Sequence, residues 1–162
     1  MTLEPPRRIF VENAAGAWTK THHDEEKLVP TKVEDVAHPY PYAYGFVIGV
    51  PSGDGDCLDC FIVTEQELKT GDQVDCYPIA LLEQFQNGME DHDVIAVPVD
   101  EVDGIEQLDM GEVVARITEH IDNVFANIPD RELSVGELWD ARAATALIEA
   151  GLAAKAAEND SA

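Results

Sequence analysis

The sequence predicts one α+β domain, mainly β: a small barrel or sandwich of short strands with two helices packed on it. Three observations carry that prediction. Short runs rich in Val, Ile, Phe and Tyr fill the first two thirds of the chain, turn signals separate them, and the last third switches to a helical hydrophobic period. A chain of 162 residues is long enough to bury a single good core. Residues 1–162 are therefore expected to form one domain.

The expected strands are residues 8–12, 43–50, 57–64, 73–82 and 93–99. Between them lie Pro51-Ser52-Gly53, Thr70-Gly71-Asp72 and Gln86-Asn87-Gly88, whose Gly, Pro, Asn and Asp residues suit tight turns. Asp109 with Glu112 then makes a capping-box pattern, followed by Val113, Ile117, Ile121 and Val124 on one helical face. Ser134 with Glu137 repeats the pattern ahead of Leu138, Ala141, Thr145, Ile148 and Leu152, which predicts a second helix. Residues 152–162 are expected to fray.

Thirty-three acids against 10 bases leave a formal charge of −23, which argues against a nucleic-acid or anionic-membrane surface. A solvated acidic surface, adaptation to high salt and mimicry of nucleic acid all produce such a charge. Acids scattered along the whole chain favour the first. No apolar run approaches the ~18 residues a membrane span needs, and the N-terminus has no export signal, so the expected location is the cytoplasm. Cys57 and Cys60 have the Cys-x-x-Cys spacing, but no second pair completes a zinc site, and the run continues into β-rich Phe61-Ile62-Val63. Small buried thiols in a reducing compartment are the expectation. Trp18 and Trp139 are expected in the core or at an interface.

Chemistry concentrates in Ser52-Gly53-Asp54-Gly55-Asp56-Cys57-Leu58-Asp59, where three carboxylates fall within six residues. Carboxylates that dense repel one another, and a hard divalent cation such as Mg²⁺, which takes oxygen ligands, suits them. Asp54 and Asp56 project together across Gly55, and a bend brings in Asp59. A fourth acid, Asp91, stands at the mouth of the 93–99 strand. An EF-hand loop is a poor fit, since the acidic residue at the next odd position and the central glycine are missing.

With Tyr40-Pro41-Tyr42-Ala43-Tyr44-Gly45-Phe46 upstream and Glu90-Asp91-His92-Asp93-Val94-Ile95-Ala96-Val97 downstream, the block Asp54-Gly55-Asp56-Cys57-Leu58-Asp59-Cys60 resembles the signature of the soluble family I inorganic pyrophosphatases. Cys57 replaces the usual proline. The three blocks keep their order and separation from about Lys32 to Pro98. The resemblance implies a five-stranded OB-like barrel with flanking helices, and metal-assisted hydrolysis of pyrophosphate to two phosphates. It also implies Mg²⁺ as cofactor, with Mn²⁺ or Zn²⁺ as substitutes, and a homo-oligomer, commonly a hexamer among bacterial members of this length. Carried across by position, Asp54, Asp59 and Asp91 are metal ligands and Asp56 orients or deprotonates the attacking water. Tyr44, Lys20, Lys32 and Glu12 bind substrate or line its cavity.

The departures from the family pattern fall on the phosphate clamp. The family's lysine after the Glu-Asp-x motif is Asp93 here, its phosphate-binding arginine is Lys32, a further metal-ligand aspartate is Gln86, and a glutamate after the N-terminal lysine is His22. Its Tyr-Lys pair falls at Ile121 and Asp122. An aspartate in a lysine's place is repulsive unless another ion intervenes, and a lysine cannot reproduce an arginine fork. His22, His23 and His92 are candidate substitutes. Two function classes follow: a working pyrophosphatase with an unusual set of cations, or a catalytically weak or inactive protein of the same fold that binds divalent metal or another phosphoanhydride. The intact set Asp54, Asp56, Asp59 and Asp91 favours the first.

Overall fold

The computed structural model describes residues 2–52 and 56–160. In chain order these form β1 (Arg7–Asn13), β2 (Thr19–Asp24), β3 (Val29–Asp35), β4 (Ala43–Pro51), β5 (Cys57–Ile62), β6 (Gln73–Gln86), β7 (Met89–Glu90), β8 (Asp93–Pro98), a 3₁₀ helix (Val99–Gln107), α1 (Met110–Asn123), β9 (Leu133–Asp140) and α2 (Ala141–Asp160). Hydrogen bonding runs β1-β4-β5-β8-β6 and returns from β6 to β1, which closes a five-stranded barrel. The expected mainly β fold with two C-terminal helices is what the chain adopts. No helix among the described residues is long and apolar enough to cross a membrane.

Successive strand residues point to opposite faces, and the two helices divide those faces between them. Ala144 and Ile148 of α2 pack on Ile9, Val47, Leu58, Cys60 and Val94. Val113, Ile117, Ile121 and Val124, the helical stripe read from the sequence, cover Tyr40, Tyr44, Phe61, Ile95 and Val97. Alternation therefore sends Asp59 with Phe61, and Asp93 with Ile95, to the face that α1 covers. The parallel β5–β8 ladder then sets Asp59 opposite Asp93. Strand β4 approaches β1 so closely at Gly45 that a Cβ there would lie 1.7 Å from the Phe10 carbonyl oxygen. Only glycine fits.

Three parts of the chain differ from the sequence expectation. Residues 133–140 are not the start of a helix: they form β9, paired with β6 from Leu133↔Gln86 to Asp140↔Ala80. The Ser134/Glu137 spacing is outcompeted because the Glu137 N–H donates to Glu83 Oε1 on that neighbouring strand (2.8 Å). The cap lies later, where the Ala143 N–H donates to the Asp140 carboxylate (3.0 Å). Helix α2 continues through Asp160 rather than fraying from residue 152, held in part by Lys155 Nζ donating to the Gly49 carbonyl (3.3 Å). The hairpin β2–β3 has no counterpart among the expected strands. By contrast, the Asp109 cap forms as read, accepting from the Glu112 N–H at 3.1 Å. Asn87-Gly88, with φ of 53° and 80°, makes the tight turn into β7.

Trp18 and Trp139 lie outside the core, at 58% and 48% exposure. Cys60 and Cys76 are buried and Cys57 is half-buried. Burial pushes the Cys57 thiol up to about 11, so it carries its proton at neutral pH.

Candidate active site

The hairpin β2–β3 folds over the barrel surface and, with β1, β5, the β7–β8 connection and α1, encloses a cavity of about 420 Å³. Its described lining includes Glu12, Lys20, Tyr44, Asp56, Asp59 and Asp91, brought together from separate elements. Asp54 lies outside the described residues. Lys32 is elsewhere: it stands on β3, largely exposed, with Nζ 3.5 Å from Glu34 Oε2.

Each side chain is aimed by a local feature. Glu12 lies in the buried run Ile9–Asn13 of β1 and its carboxylate lies 3.3 Å from His23 Nδ1. Burial, outweighing the pull of Lys20, pushes the Glu12 carboxyl up to about 7. A register shift between His22 and His23 interrupts the β2–β3 ladder, and the break in alternation lets both imidazoles face the cavity. Burial and Lys20 lower the His22 pKa, although Glu34 Oε1 lies 3.2 Å from its Nε2. Lys20 Nζ sits 5.7 Å from the centre of the Tyr44 ring and 5.5 Å from that of Phe125. Tyr44, almost fully buried between Tyr40 and Phe61, has its hydroxyl pKa raised by burial first and by Asp59 second. It is a neutral donor.

The acidic wall belongs to the barrel. The Asp91 N–H donates to the Gln84 carbonyl (2.8 Å), which fixes the connection after β7. Its carboxyl hydrogen-bonds that of Asp59. Asp93, beneath the lining, is 0% exposed and neither of its oxygens has a hydrogen-bond partner among the described residues. Burial holds the carboxyls of Asp59 and Asp93 well above the usual carboxylate range, reinforced at Asp59 by Asp93 and Asp91 and at Asp93 by Asp91. Asp56 is exposed at the rim. The next residue, Cys57, donates its N–H to Glu25 Oε1 (2.9 Å), tying the signature loop to the hairpin turn.

Among the described lining residues Lys20 is the only lysine or arginine, against Glu12, Glu25, Asp56, Asp59, Glu90 and Asp91. No three Asp, Glu, His or Cys side chains among the described residues form a ready-made metal cage. That suits a hard cation of the Mg²⁺ type, which is held by one or two carboxylates plus water and substrate oxygens. Glu25, Tyr40, Phe125 and His120 also line the cavity and were not read as functional from the sequence. His120 Nδ1 lies 3.1 Å from both the Pro39 carbonyl oxygen and His38 Nδ1. Burial, then His38, drives its pKa down to about 4.

Residues 9–155 match the family model described as inorganic pyrophosphatase. An inorganic pyrophosphatase of Nanoarchaeum equitans is 35% identical over 96 residues, which are 59% of this chain and 60% of that protein. That of Sulfolobus acidocaldarius is 35% identical over 98 residues, 59% of this chain and 56% of that protein. The chain thus spans less than two thirds of the length of either relative in the matched stretch. Among solved structures, an inorganic pyrophosphatase of Helicobacter pylori superimposes with a TM-score of 0.83 at 19% identity, covering 95% of this chain and 97% of that one.

Proposed function

The chain belongs to the inorganic pyrophosphatase family, and from that premise we propose that its cavity hydrolyses inorganic pyrophosphate to two phosphates with a divalent cation, Mg²⁺ in the first place. The observation that carries the reading is the convergence of Glu12, Lys20, Tyr44, Asp56, Asp59 and Asp91 on one cavity of about 420 Å³. The donor set fits a hard cation, because its oxygens are carboxyls pressed together and those of Asp93 are orphaned in the interior. When bound, such a cation supplies a lowered water pKa and neutralises phosphate charge.

The chain's own residues do the rest. Asp59 and Asp91, with Asp54, would hold the cation. Asp56, at the rim, accepts the proton of the attacking water. Lys20 meets a phosphate oxygen, and its fixed position beside Tyr44 leaves the Tyr44 hydroxyl free to donate to another. Phosphoryl transfer depends on positioning and charge neutralisation more than on covalent steps by the protein. We extend the reading to a homo-oligomer, hexameric by analogy with family members of this length, and to a cytoplasmic enzyme. Light scattering on the purified protein tests the first point.

The scarcity of cations in the lining favours one competing reading, a weak or inactive member of the family. A phosphate-release assay on pyrophosphate with Mg²⁺, Mn²⁺ or Zn²⁺ separates the two. Hydrolysis is expected with at least one metal, and Asp56→Asn is expected to lower kcat by about 10²- to 10⁴-fold, the range for a positioned general base. No release with any metal, from protein that binds metal in calorimetry, overturns the reading.

A further inference from the structure

Asp93 is the one side chain among the described residues with two buried, unpartnered polar atoms. It is 0% exposed, both carboxyl oxygens lack a hydrogen-bond partner, and no ion pair reaches it among the described residues. Buried polar groups are otherwise paired almost without exception, and an isolated buried carboxylate is far more costly than an unmet neutral group. Its neighbours do not relieve it. Across the β5–β8 ladder stands Asp59, and two residues earlier stands Asp91, hydrogen-bonded to Asp59. Among the described residues Lys20 is the cation that favours its charge, and it makes no contact with it within ion-pair distance.

The backbone explains why these acids cannot escape one another. Asp59 and Asp93 are register partners on adjacent parallel strands, so their side chains leave the sheet on the same face. Both strands lie inside the barrel path, β4-β5-β8-β6, and neither can slide. Asp59 also lines the cavity, which connects the pair to solvent. Two carboxyls on one rigid face, one orphaned and one opening on water, satisfy the one- or two-carboxylate demand of a hard divalent cation.

We infer that Asp93 is itself a metal ligand, sharing a divalent cation with Asp59 in a site additional to the set Asp54, Asp59 and Asp91. The cation restores, at this position, a positive charge on the cavity wall, where the chain carries an aspartate and no base. The inference rests on the reading of the cavity as metal-dependent, yet its test needs no turnover.

The experiment is a Mn²⁺ titration of metal-stripped protein without pyrophosphate, with free Mn²⁺ followed by electron paramagnetic resonance. Wild type is compared with Asp93→Asn, which keeps the shape, and Asp93→Lys, which supplies a covalent cation. Both variants are expected to lose one bound Mn²⁺ or to bind it at least tenfold more weakly. In chelator, both are expected to melt above wild type, because the unpartnered carboxyl crowded against Asp59 and Asp91 is gone, and to gain less on adding Mn²⁺. Wild-type stoichiometry and affinity in either folded variant overturn the inference, as does an unchanged melting gain with Mn²⁺. Pyrophosphate hydrolysis by the wild type is assayed separately. A protein that fails to hydrolyse but whose variants lose the Mn²⁺ keeps this inference and sinks the functional reading, and the opposite pair of results does the reverse.

Discussion

The two walls of the cavity solve the problem of buried charge in opposite ways. On the hairpin side three bases already have an acid: His23 lies against Glu12, and His22 and Lys32, joined by Arg131 from outside the hairpin, converge on Glu34 at 3.2, 3.5 and 3.1 Å. Burial pushes the Glu34 carboxyl up, but Arg131 and His22 more than offset that and hold it below its ordinary value. On the barrel side Asp59, Asp91 and Asp93 crowd together, and neither carboxyl oxygen of Asp93 has a hydrogen-bond partner among the described residues. Apart from Lys20, the hairpin bases that pair do so within the protein as folded. In the proposed reading a cation from outside would relieve the barrel wall, whereas the hairpin contributes shape and one cavity-lining positive charge, Lys20.

The strongest way to break the comparison is to disturb the frame of the barrel wall. Gly45→Ala places a methyl group 1.7 Å from the Phe10 carbonyl oxygen and 2.8 Å from its carbon, both backbone atoms that cannot rotate away. Relief requires β4 and β1 to separate, and β4 carries Tyr44 and pairs with the strand of Asp59. The substitution is expected to cost about 3 kcal/mol or more, at the upper end of overpacking effects. Urea unfolding followed by circular dichroism reads it. A loss under about 1 kcal/mol would mean that the barrel yields there, and that its acids are less rigidly opposed than the register implies.

Next in size is the seam between the walls. Glu12 has its carboxyl raised from 4.5 to about 7 by burial, with Glu25 and Asp56 adding to the effect. The sign follows from proton counting: between pH 4.5 and about 7 the folded chain keeps a proton that the unfolded chain releases, so stability falls as pH rises through that window. The loss attributable to Glu12 is about 2 to 3 kcal/mol in chelator. His120, held down near 4, tilts stability the other way, because acid protonates the unfolded chain first. The difference between wild type and Glu12→Gln isolates the first effect. That difference is expected to grow from pH 5 to 7 and then level off; a flat difference would mean Glu12 is already ionised in the folded state at pH 5.

How much of this was legible in the sequence tracks the same division. The barrel wall is built from runs such as Cys57–Ile62 and Asp93–Pro98, whose apolar residues announce strands and whose aspartates fall into ordered blocks. The turn at Asn87-Gly88 and the cap at Asp109 are local chemistry, so they could be read directly. The hairpin wall was not legible. Thr19–Asp24 is half-buried throughout and Val29–Asp35 is almost wholly exposed, so neither shows the alternation that marks a strand. Its pairings also join distant residues: Glu34 and Arg131 are separated by 97 positions. Strand β9 was misread because its partner β6 overrides a locally reasonable helix start, which is tertiary pairing defeating local propensity.

The smallest expected effect sharpens the contrast most, because it compares two lysines of one hairpin. Lys20 lines the cavity beside Tyr44 and Phe125, whereas Lys32, its side chain 63% exposed, leans on Glu34 away from the lining. A charge-assisted contact to phosphate is worth about 1.5 to 3 kcal/mol, so Lys20→Gln is expected to raise KM for pyrophosphate roughly 10- to 100-fold. An exposed ion pair is worth about 1 kcal/mol at most and touches no substrate, so Lys32→Gln is expected to change KM less than about twofold. Steady-state kinetics on both variants, with the metal held saturating, makes the comparison. If Lys32→Gln raises KM as much as Lys20→Gln does, the hairpin closes further over bound substrate than this structure has it, and its charges are not as self-contained as Glu34 makes them.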